Sequence, residues 1–179
     1  MARWPDVPAV YGWLRLDRRG NWYLIDRGQP DFDEARHGQG SLIRNQGIVD
    51  FIARNYQADR DGAWYWQNGP QRAYANLDIA PLVLRVFNQA QRQLLVSHCG
   101  EPIRQILRVM QSPTGELLVA SELGTGVVHD LDLGALQLEF DAHDQPCRWV
   151  LNDQVFAISA DPLELNALLA EFQRKPGPR

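Results

Sequence analysis

A seven-residue motif that occurs twice constrains the fold of this chain more than any other sequence feature. It reads DRRGNWY at residues 17–23 and DRDGAWY at residues 59–65. In a tight turn the Asp side chain hydrogen-bonds nearby backbone, and Gly accepts a positive φ without steric cost. The aromatic pair that follows is typical of a β-strand. The repeat therefore predicts two β-hairpins, which is information about architecture and not about chemistry.

Further turn signals divide the rest of the chain into short strands. The clearest hairpin covers residues 11–25, and the segments NGPQ at 68–71 and SPTG at 112–115 predict turns between later strands. Residues 26–41, rich in Gly, Asp and Gln, predict the longest loop and hence a candidate functional or mobile segment. Near the end of the chain we predict strands over residues 126–133, 134–140 and 148–158.

Two segments have the periodicity of helices. Residues 45–57 repeat apolar side chains at i, i+4 spacing after Asn45, a suitable N-cap. The second segment covers residues 162–173, where Asp161 suits the cap and Pro162 the first helical position. We therefore predict an α+β fold with two helices. Its strands form mostly antiparallel hairpins in a meander, arranged as a sheet or a partly closed barrel.

Length and composition restrict the domain organisation and the class of protein. A chain of 179 residues suits a single domain over residues 1–173, with a small N-terminal lobe (1–80) and a β-rich lobe (81–173) as the alternative. We expect the Pro-containing tail 174–179 to be disordered. Two cysteines are too few for a disulfide framework.

Charge and hydropathy point to a cytoplasmic protein. The net charge of −4 makes duplex nucleic acid and anionic membrane poor primary partners. The first residues lack the apolar segment of a signal peptide, and no apolar run approaches the ~18–20 residues that span a bilayer. No P-loop, dinucleotide fingerprint or nucleophile elbow is present, so we expect no cofactor.

Several phrases of the sequence occur together in one known family. They are YGWL at 11–14, GSLIR at 40–44, QNGPQR at 67–72, PLVLRV at 81–86 and GVVHDLDL at 126–133. With these phrases the chain resembles, over residues 4–140, an uncharacterised family of proteobacterial proteins of about this length, a domain of unknown function. The resemblance implies a bacterial source. It supplies neither an activity nor catalytic residues.

The turn around Gly69 is the first candidate for ligand contact. It concentrates amide and guanidinium groups, and its backbone could form an anion-binding nest. We predict that Arg72 binds a carboxylate or phosphate bidentately and that Arg44 contributes to the same site. The predicted ligand-binding residues are Arg44, Gln67, Asn68, Gln71 and Arg72. The simpler interpretation is that these residues form a hairpin turn whose polar side chains bind no ligand.

Aromatic side chains form a second candidate surface. Tryptophan and tyrosine, with arginine between them, are typical of protein interfaces and also of sheets that stack the bases of single-stranded nucleic acid. Because side chains alternate along a strand, only some of them can face the core. The predicted interface residues are Trp13, Trp22, Trp64 and Trp66.

The histidines suggest two further sites, each with a simpler structural interpretation. In a strand, Asp130 and Asp132 would share a face about 6–7 Å apart. With His129 and His98 they could ligate zinc, manganese or iron after a bend in the strand. Cys99 follows His98, but adjacent residues of a strand point to opposite faces, which would separate a thiol nucleophile from its base.

The sequence thus favours a non-enzymatic cytoplasmic binding or interaction module. We expect it to use aromatic, Arg, Gln and Asn side chains to contact a protein partner, a second copy of itself or a small anionic ligand. Homodimerisation through an aromatic sheet face or a sheet edge is one form of this hypothesis. A metal-dependent hydrolase-like enzyme and a single-stranded nucleic-acid-binding protein are the alternatives.

Overall fold

The computed structural model describes residues 9–172, and the predicted tail 174–179 lies outside them. The chain folds as two compact units. The first comprises the residues up to Ile79 together with the chain from Glu171 onward, and the second comprises Ala80–Ala170. No helix within residues 9–172 has the length and the apolar character that crossing a membrane requires.

A six-stranded mixed sheet forms most of the first unit. The strand order is β3-β2-β1-β6-β5-β4, and β1 pairs with β6 in parallel while the other neighbours pair antiparallel. The elements are β1 (Val10–Leu16), β2 (Trp22–Leu24), α1 (Glu34–His37), β3 (Ser41–Leu42), α2 (Gln46–Arg54), β4 (Tyr56–Ala58), β5 (Trp64–Asn68) and β6 (Gln71–Leu77).

The two copies of the repeated motif form equivalent turns, as predicted. Oδ1 of Asp17 accepts hydrogen bonds from the backbone N–H groups of Arg19 and Asn21, each at 2.8 Å. Oδ1 of Asp59 accepts the corresponding bonds from residues 61 and 63, each at 2.9 Å. The first turn connects β1 to β2 and the second connects β4 to β5. The motif therefore forms a β-hairpin turn at both of its positions in this unit.

Helix α2 covers one face of this sheet. The side chain of Asn45 caps it by accepting from the backbone N–H of Ile48 at 3.2 Å, as predicted. Ile52 is fully buried in a cluster with Leu14, Leu16 and Trp22. The helix ends at Arg54 and not at residue 57, because the chain enters β4 at residue 56.

The predicted loop over residues 26–41 is anchored to β1. Arg27 donates from Nε to the carbonyl oxygen of Gly12 at 2.8 Å, and its guanidinium lies over the ring of Phe32. A Cβ on Gly12 would lie 2.6 Å from that Nε, so only glycine leaves room for the contact. Within the loop, Asp33 caps the short helix α1.

An eight-stranded mixed sheet forms most of the second unit, in the order β12-β13-β14-β9-β10-β11-β7-β8. Its elements are β7 (Leu82–Gln89), β8 (Arg92–Ser97), β9 (Ile106–Gln111), β10 (Leu117–Ser121), β11 (Gly124–Val128), a 3₁₀ helix (Asp130–Ala135), β12 (Gln137–Phe140), β13 (Pro146–Leu151), β14 (Gln154–Ser159) and α3 (Pro162–Ala170). Two pairings, β7 with β11 and β9 with β14, are parallel.

The α+β class, the mostly antiparallel pairing and both predicted helices are confirmed, and two details of the prediction are wrong. Among the described strands three pairings are parallel, so both sheets are mixed. The segment 126–133 is not one strand, since β11 ends at Val128 and a 3₁₀ helix follows. The segment 148–158 is a hairpin, because Asn152 and Asp153 adopt positive φ values of 49° and 69° and turn the chain.

The second sheet curls so that one side chain bridges strands far apart in its order. Asn152 lies at the turn between β13 and β14 and bonds to the backbone of Gln93 in β8. Its Oδ1 accepts from the N–H of Gln93 and its Nδ2 donates to the carbonyl oxygen of Gln93, both at 2.7 Å. Farther along the same strand, the oxygen of Leu95 accepts from the N–H of Ile103, and the N–H of Ser97 donates to the oxygen of Glu101. The outer side of β8 is therefore occupied by its own chain.

The close approach at Gly62 predicts a specific loss of stability. The φ of this residue is 87°, and a Cβ would overlap the carbonyl oxygen of Glu171. An alanine at this positive φ is strained by about 1–2 kcal/mol. Moving the backbone to make room for its Cβ costs about 1–3 kcal/mol more. Gly62→Ala should therefore lower the free energy of unfolding by about 3 kcal/mol, measured by urea denaturation.

Gly115 is the matched control, because its φ is 91° and a Cβ there meets nothing within 4 Å. Gly115→Ala should lose only the conformational part, about 1–2 kcal/mol. If both variants lose the same free energy of unfolding, the close contact of Gly62 with Glu171 does not contribute to stability.

The amide of Asn152 generates a second prediction. Asn152→Ala leaves two backbone groups of Gln93 without their partner, so we expect a loss of about 1–3 kcal/mol in the free energy of unfolding. Hydrogen exchange at the Gln93 amide should accelerate. Asn88→Ala, at an exposed position of the adjacent β7, is the control and should leave that amide protected. If hydrogen exchange at the Gln93 amide is unchanged in Asn152→Ala, the bridge from Asn152 to β8 does not protect that amide.

Candidate functional site

The side of the first sheet opposite α2 carries tyrosines and an arginine in mutual contact. We call Tyr11, Tyr65, Gln67, Arg72 and Tyr74 the tyrosine–arginine face. Register places Tyr74 of β6 opposite both other tyrosines. The ring of Tyr74 stacks on Tyr11 with centroids 4.9 Å apart, and its centroid lies 5.4 Å from that of Tyr65. Tyr65 and Tyr74 belong to a buried cluster, with 5 % and 7 % of their surface exposed, and Tyr11 packs against it, so Arg72 is the exposed member of the set.

The guanidinium of Arg72 contacts two other members of this set. Its guanidinium carbon is 4.7 Å from the centroid of the Tyr65 ring, a cation–π distance. Its Nε donates to Oε1 of Gln67 at 3.3 Å. Within residues 9–172 no carboxylate forms an ion pair with it. The side chain is exposed, so the positive charge faces solvent.

Tyr74 connects this face to the second motif turn. Its hydroxyl donates to Oδ2 of Asp59 at 2.9 Å. Burial raises the pKa of Tyr74 to about 12, with a further contribution from the Asp59 carboxylate and an opposing one from Arg72. The hydroxyl therefore stays protonated at neutral pH and remains a donor to the turn.

Arg15, on the same side of the sheet, also lies over a tyrosine ring, but unlike Arg72 it is bound by a carboxylate within residues 9–172. Its guanidinium carbon lies 5.2 Å from the centroid of Tyr23. Asp78 binds it bidentately, with Nε–Oδ1 at 2.7 Å and Nη2–Oδ2 at 2.6 Å. The hydrogen bond to Asp78 is the main reason that the pKa of Arg15 is raised. Asp78 thus pairs with Arg15, whereas no carboxylate among the described residues 9–172 pairs with Arg72.

The structure brings together part of the predicted ligand-binding set. Gln67 and Arg72 contact each other, and Asn68 pairs with Gln71 in register at the end of the same hairpin. The Gln67 amide also donates to the carbonyl oxygen of Gly69 within the turn. Arg44 precedes α2, and among residues 9–172 no hydrogen bond or ion pair joins it to the other four.

The predicted tryptophans lie mainly on the side of the sheet that α2 covers. Trp22 is only 2 % exposed and belongs to the core, so its side chain is not displayed to a partner. Trp66 packs against that core and meets Phe51 of α2 edge-on, while the ring of Trp64 contacts Tyr56. Trp13 is half-buried in β1.

The predicted interface residues are all tryptophans and leave out the tyrosines of the opposite side. Alternation in β5 offered a signal: Tyr65 and Gln67 must point away from the side that Trp64 and Trp66 occupy. The signal was insufficient, because it does not say which side a helix covers.

The candidate metal ligands are engaged in other bonds. Asp132 accepts from Nε of Arg85 at 2.6 Å and from the backbone N–H of Val86 at 2.9 Å. His129 is buried and caps the 3₁₀ helix, its Nδ1 accepting from the N–H of Leu131 and lying 3.0 Å from Oδ1 of Asp130. Both aspartates occupy that helix, so the expected shared strand face does not exist.

His98 lies in the turn after β8. Within residues 9–172, no group of three His, Cys, Asp or Glu side chains is arranged to hold a metal ion.

His98 and Cys99 do contact each other, contrary to the strand argument, because a turn places both side chains on one side. Cys99 Sγ lies 3.6 Å from Nε2 of His98. The backbone N–H of Val83 donates to Nδ1 of the same ring, so in the neutral imidazole the proton is on Nε2. Such a ring cannot take the thiol proton. Burial raises the pKa of Cys99 to about 12, with a contribution from Glu101, which also opposes a reactive thiolate.

Comparison with known proteins identifies the family. The family model DUF2944, described as "Protein of unknown function (DUF2946)", matches residues 1–179. The chain belongs to this family. No curated protein matches it.

Two solved structures resemble the chain, both of DUF1285 family proteins. The one from Silicibacter pomeroyi DSS-3 is 18 % identical, with 90 % of this chain and 87 % of that chain covered at a TM-score of 0.54. The one from Shewanella baltica OS155 is 12 % identical, with 69 % and 88 % covered at a TM-score of 0.47. At 18 % identity, the first likeness establishes a shared fold and nothing about activity.

The bonds of Asp132 predict a pH-dependent effect on stability. Burial raises the pKa of this carboxyl, but the hydrogen bonds from Arg85 and Val86 outweigh it, and the net pKa is lowered. A carboxyl whose pKa is lowered on folding stabilises the folded state at any pH above its pKa in the unfolded chain. This stabilisation is lost as the pH falls through the pKa of the folded state. Asp132→Asn should lower the free energy of unfolding by about 1–2 kcal/mol at pH 7, since Arg85 is partly solvated.

The difference between the two proteins should shrink in acid, as the wild-type carboxyl becomes protonated. Urea denaturation across the acidic range measures it. The exposed Asp153→Asn serves as the control, with a small effect at every pH. A penalty for Asp132→Asn that does not change with pH would contradict the role of its charge.

Proposed function

We propose that this chain is a non-catalytic binding module of the bacterial cytoplasm that recognises a protein partner, or a second copy of itself, through the tyrosine–arginine face. The observation that carries the proposal is exposed Arg72, held on the ring of Tyr65, with which no carboxylate within residues 9–172 pairs. Tyrosine and arginine are enriched among the residues that dominate binding energy at protein interfaces.

The order of the face supports binding. The buried rings of Tyr65 and Tyr74 are fixed by each other and by the hydroxyl bond to Asp59, and exposed Arg72 rests on Tyr65, so its guanidinium loses little freedom when a partner docks. Immobilising a flexible side chain at an interface costs about 0.5–1.5 kcal/mol, and a preorganised surface avoids much of this cost.

The side chains that would serve catalysis instead have structural partners. The carboxylate of Asp132 is bonded to Arg85, and the ring of His98 has the wrong tautomer to activate Cys99. These bonds favour a binding role over the metal-dependent and thiol-dependent alternatives.

A photo-crosslinker placed beside the face tests the proposal in cells. Asn76 is exposed on β6, on the same side of the sheet as Arg72 and Tyr74, and can be replaced by p-benzoylphenylalanine. We expect discrete crosslinked products from this position, each identified by mass spectrometry. A product at twice the mass of the chain would identify a second copy as the partner.

Gln89, exposed at the end of β7 in the other unit, is the control position and should give no product above background. Absence of a product at Asn76 that exceeds this background would count against a partner at the face.

A further inference from the structure

The turn between β5 and β6 contains an Asn–Gly pair, Asn68–Gly69, whose chemistry the binding function does not use. We propose that Asn68 is a site of spontaneous deamidation, which converts its neutral amide to a carboxylate in the folded protein. The modification needs no enzyme and no cofactor, and its only co-reactant is water. It is independent of the proposed function, because it follows from the structure of the turn alone.

The reaction proceeds through a cyclic imide. The backbone nitrogen of Gly69 loses its proton and attacks Cγ of Asn68, so that a new C–N bond forms. The bond from Cγ to Nδ2 breaks, and Nδ2 leaves as ammonia after taking up a proton from the solvent. Water then opens the imide at one of its two carbonyls. Opening at Cγ gives aspartate, and opening at the backbone carbonyl gives isoaspartate.

The surroundings of Gly69 make its nitrogen available for this attack. Glycine has no side chain to obstruct the approach of Cγ. A Cβ at this position would meet nothing within 4 Å, so the imide has room to form. Among residues 9–172 no acceptor takes the backbone N–H of Gly69, whose carbonyl oxygen accepts from the Gln67 amide.

The amide of Asn68 is equally available. Its side chain is exposed and makes no hydrogen bond with the described residues 9–172. By contrast, the side chains of Asn21, Asn45 and Asn55 are each hydrogen-bonded, to an aspartate, a helix N-terminus and a backbone carbonyl respectively. Such bonds hold an amide away from the backbone nitrogen that follows it. Asn68 has no such restraint.

The position of Asn68 in the hairpin supplies the backbone freedom that the attack requires. An extended backbone keeps the following nitrogen away from Cγ, so ψ of Asn68 has to rotate first. Asn68 is the last residue of β5, and its Cα partner Gln71 is the first residue of β6. The end of a strand ladder opens locally at a small cost in free energy, because few contacts are lost.

The second motif turn shows a protected pair of the same kind. Asp–Gly pairs form the same imide, and Asp61–Gly62 is the one Asp–Gly pair of the sequence. There the backbone N–H of Gly62 donates to the carbonyl oxygen of Asp59 at 3.2 Å. A Cβ on Gly62 would overlap the carbonyl oxygen of Glu171. The nitrogen of Gly62 is therefore engaged and the space around it is filled, so we expect Asp61 to stay unmodified.

The two products change the hairpin in different ways. Aspartate adds one negative charge to a chain whose net charge is −4. Isoaspartate adds a methylene group to the main chain before Gly69, which disrupts the pairing of residue 68 with Gln71. The next pair of the ladder is Gln67 with Arg72, so the modification alters the end of the hairpin that carries this arginine.

The test ages the full-length folded protein at neutral pH in water enriched in heavy oxygen. The protein is then digested in ordinary water at acidic pH, and its peptides are analysed by chromatography and mass spectrometry. Peptides with Asn68 should accumulate labelled aspartate and isoaspartate, because ring opening takes its oxygen from the water. Asn88, also exposed but followed by Gln89, is the control within the same molecule and should keep its amide.

The intact protein should show the same change as a new species with one more negative charge, resolved by ion exchange. Its rate of formation should rise with pH, since the attacking nitrogen has to lose a proton. Equal conversion at Asn68 and Asn88 would overturn the proposal. So would product without the label, which forms during digestion, or conversion at Asn68 only after the protein is unfolded in urea.

Two variants test the role of the Gly69 nitrogen. Gly69→Ala should slow conversion at Asn68, because the added Cβ obstructs the attack. Gly115→Ala is the matched control and should leave conversion unchanged, because Gly115 also has a positive φ and open space around it. Urea denaturation establishes that both variants are folded. Conversion in Gly69→Ala at the rate of the unsubstituted protein would show that the imide does not form, and would overturn the site.

Discussion

The architecture of the first unit depends on two aspartates that each organise a turn and orient a tyrosine. Asp17 gathers the backbone N–H groups of its turn and also accepts from the hydroxyl of Tyr23 at 3.2 Å. Asp59 does the same with its own turn and with Tyr74. Burial raises the pKa of Asp17, but its hydrogen bonds outweigh that effect and the net pKa is lowered. The residues that shape the hairpins therefore also fix rings of the opposite sheet face.

Local signals were sufficient for much of the fold. The repeated Asp and Gly predicted both motif turns, and Asn45 and Asp161 predicted where the two long helices begin, because capping and turn chemistry act over a few residues. The parallel pairings could not be predicted, since they join strands far apart in sequence and no local pattern specifies them. The Asn152 turn was missed because it contains no glycine; two consecutive non-glycine residues at positive φ are uncommon.

The candidate site was predictable only in part, for a similar reason. Gln67 and Arg72 belong to one hairpin, so their proximity follows from local register. The role of Tyr11 depends on the parallel neighbour β6, and the difference between Arg15 and Arg72 depends on Asp78, which is distant from Arg15 in sequence. Whether a charge is satisfied is a property of the assembled sheet. Composition shows that the chain has many arginines but not which of them pairs with a carboxylate.

The side-chain bridge from Asn152 to β8 has a consequence for self-association. A strand at the end of a sheet is a template on which another chain can add a strand, and such additions lead to uncontrolled oligomers or fibrils. Here the outward groups of Gln93, Leu95 and Ser97 are already bonded to an amide and to the following segment of the same chain. An incoming strand would have to displace those bonds before it gained its own. The protein thus protects this end of its larger sheet against misassembly with a single asparagine and a short return of the backbone.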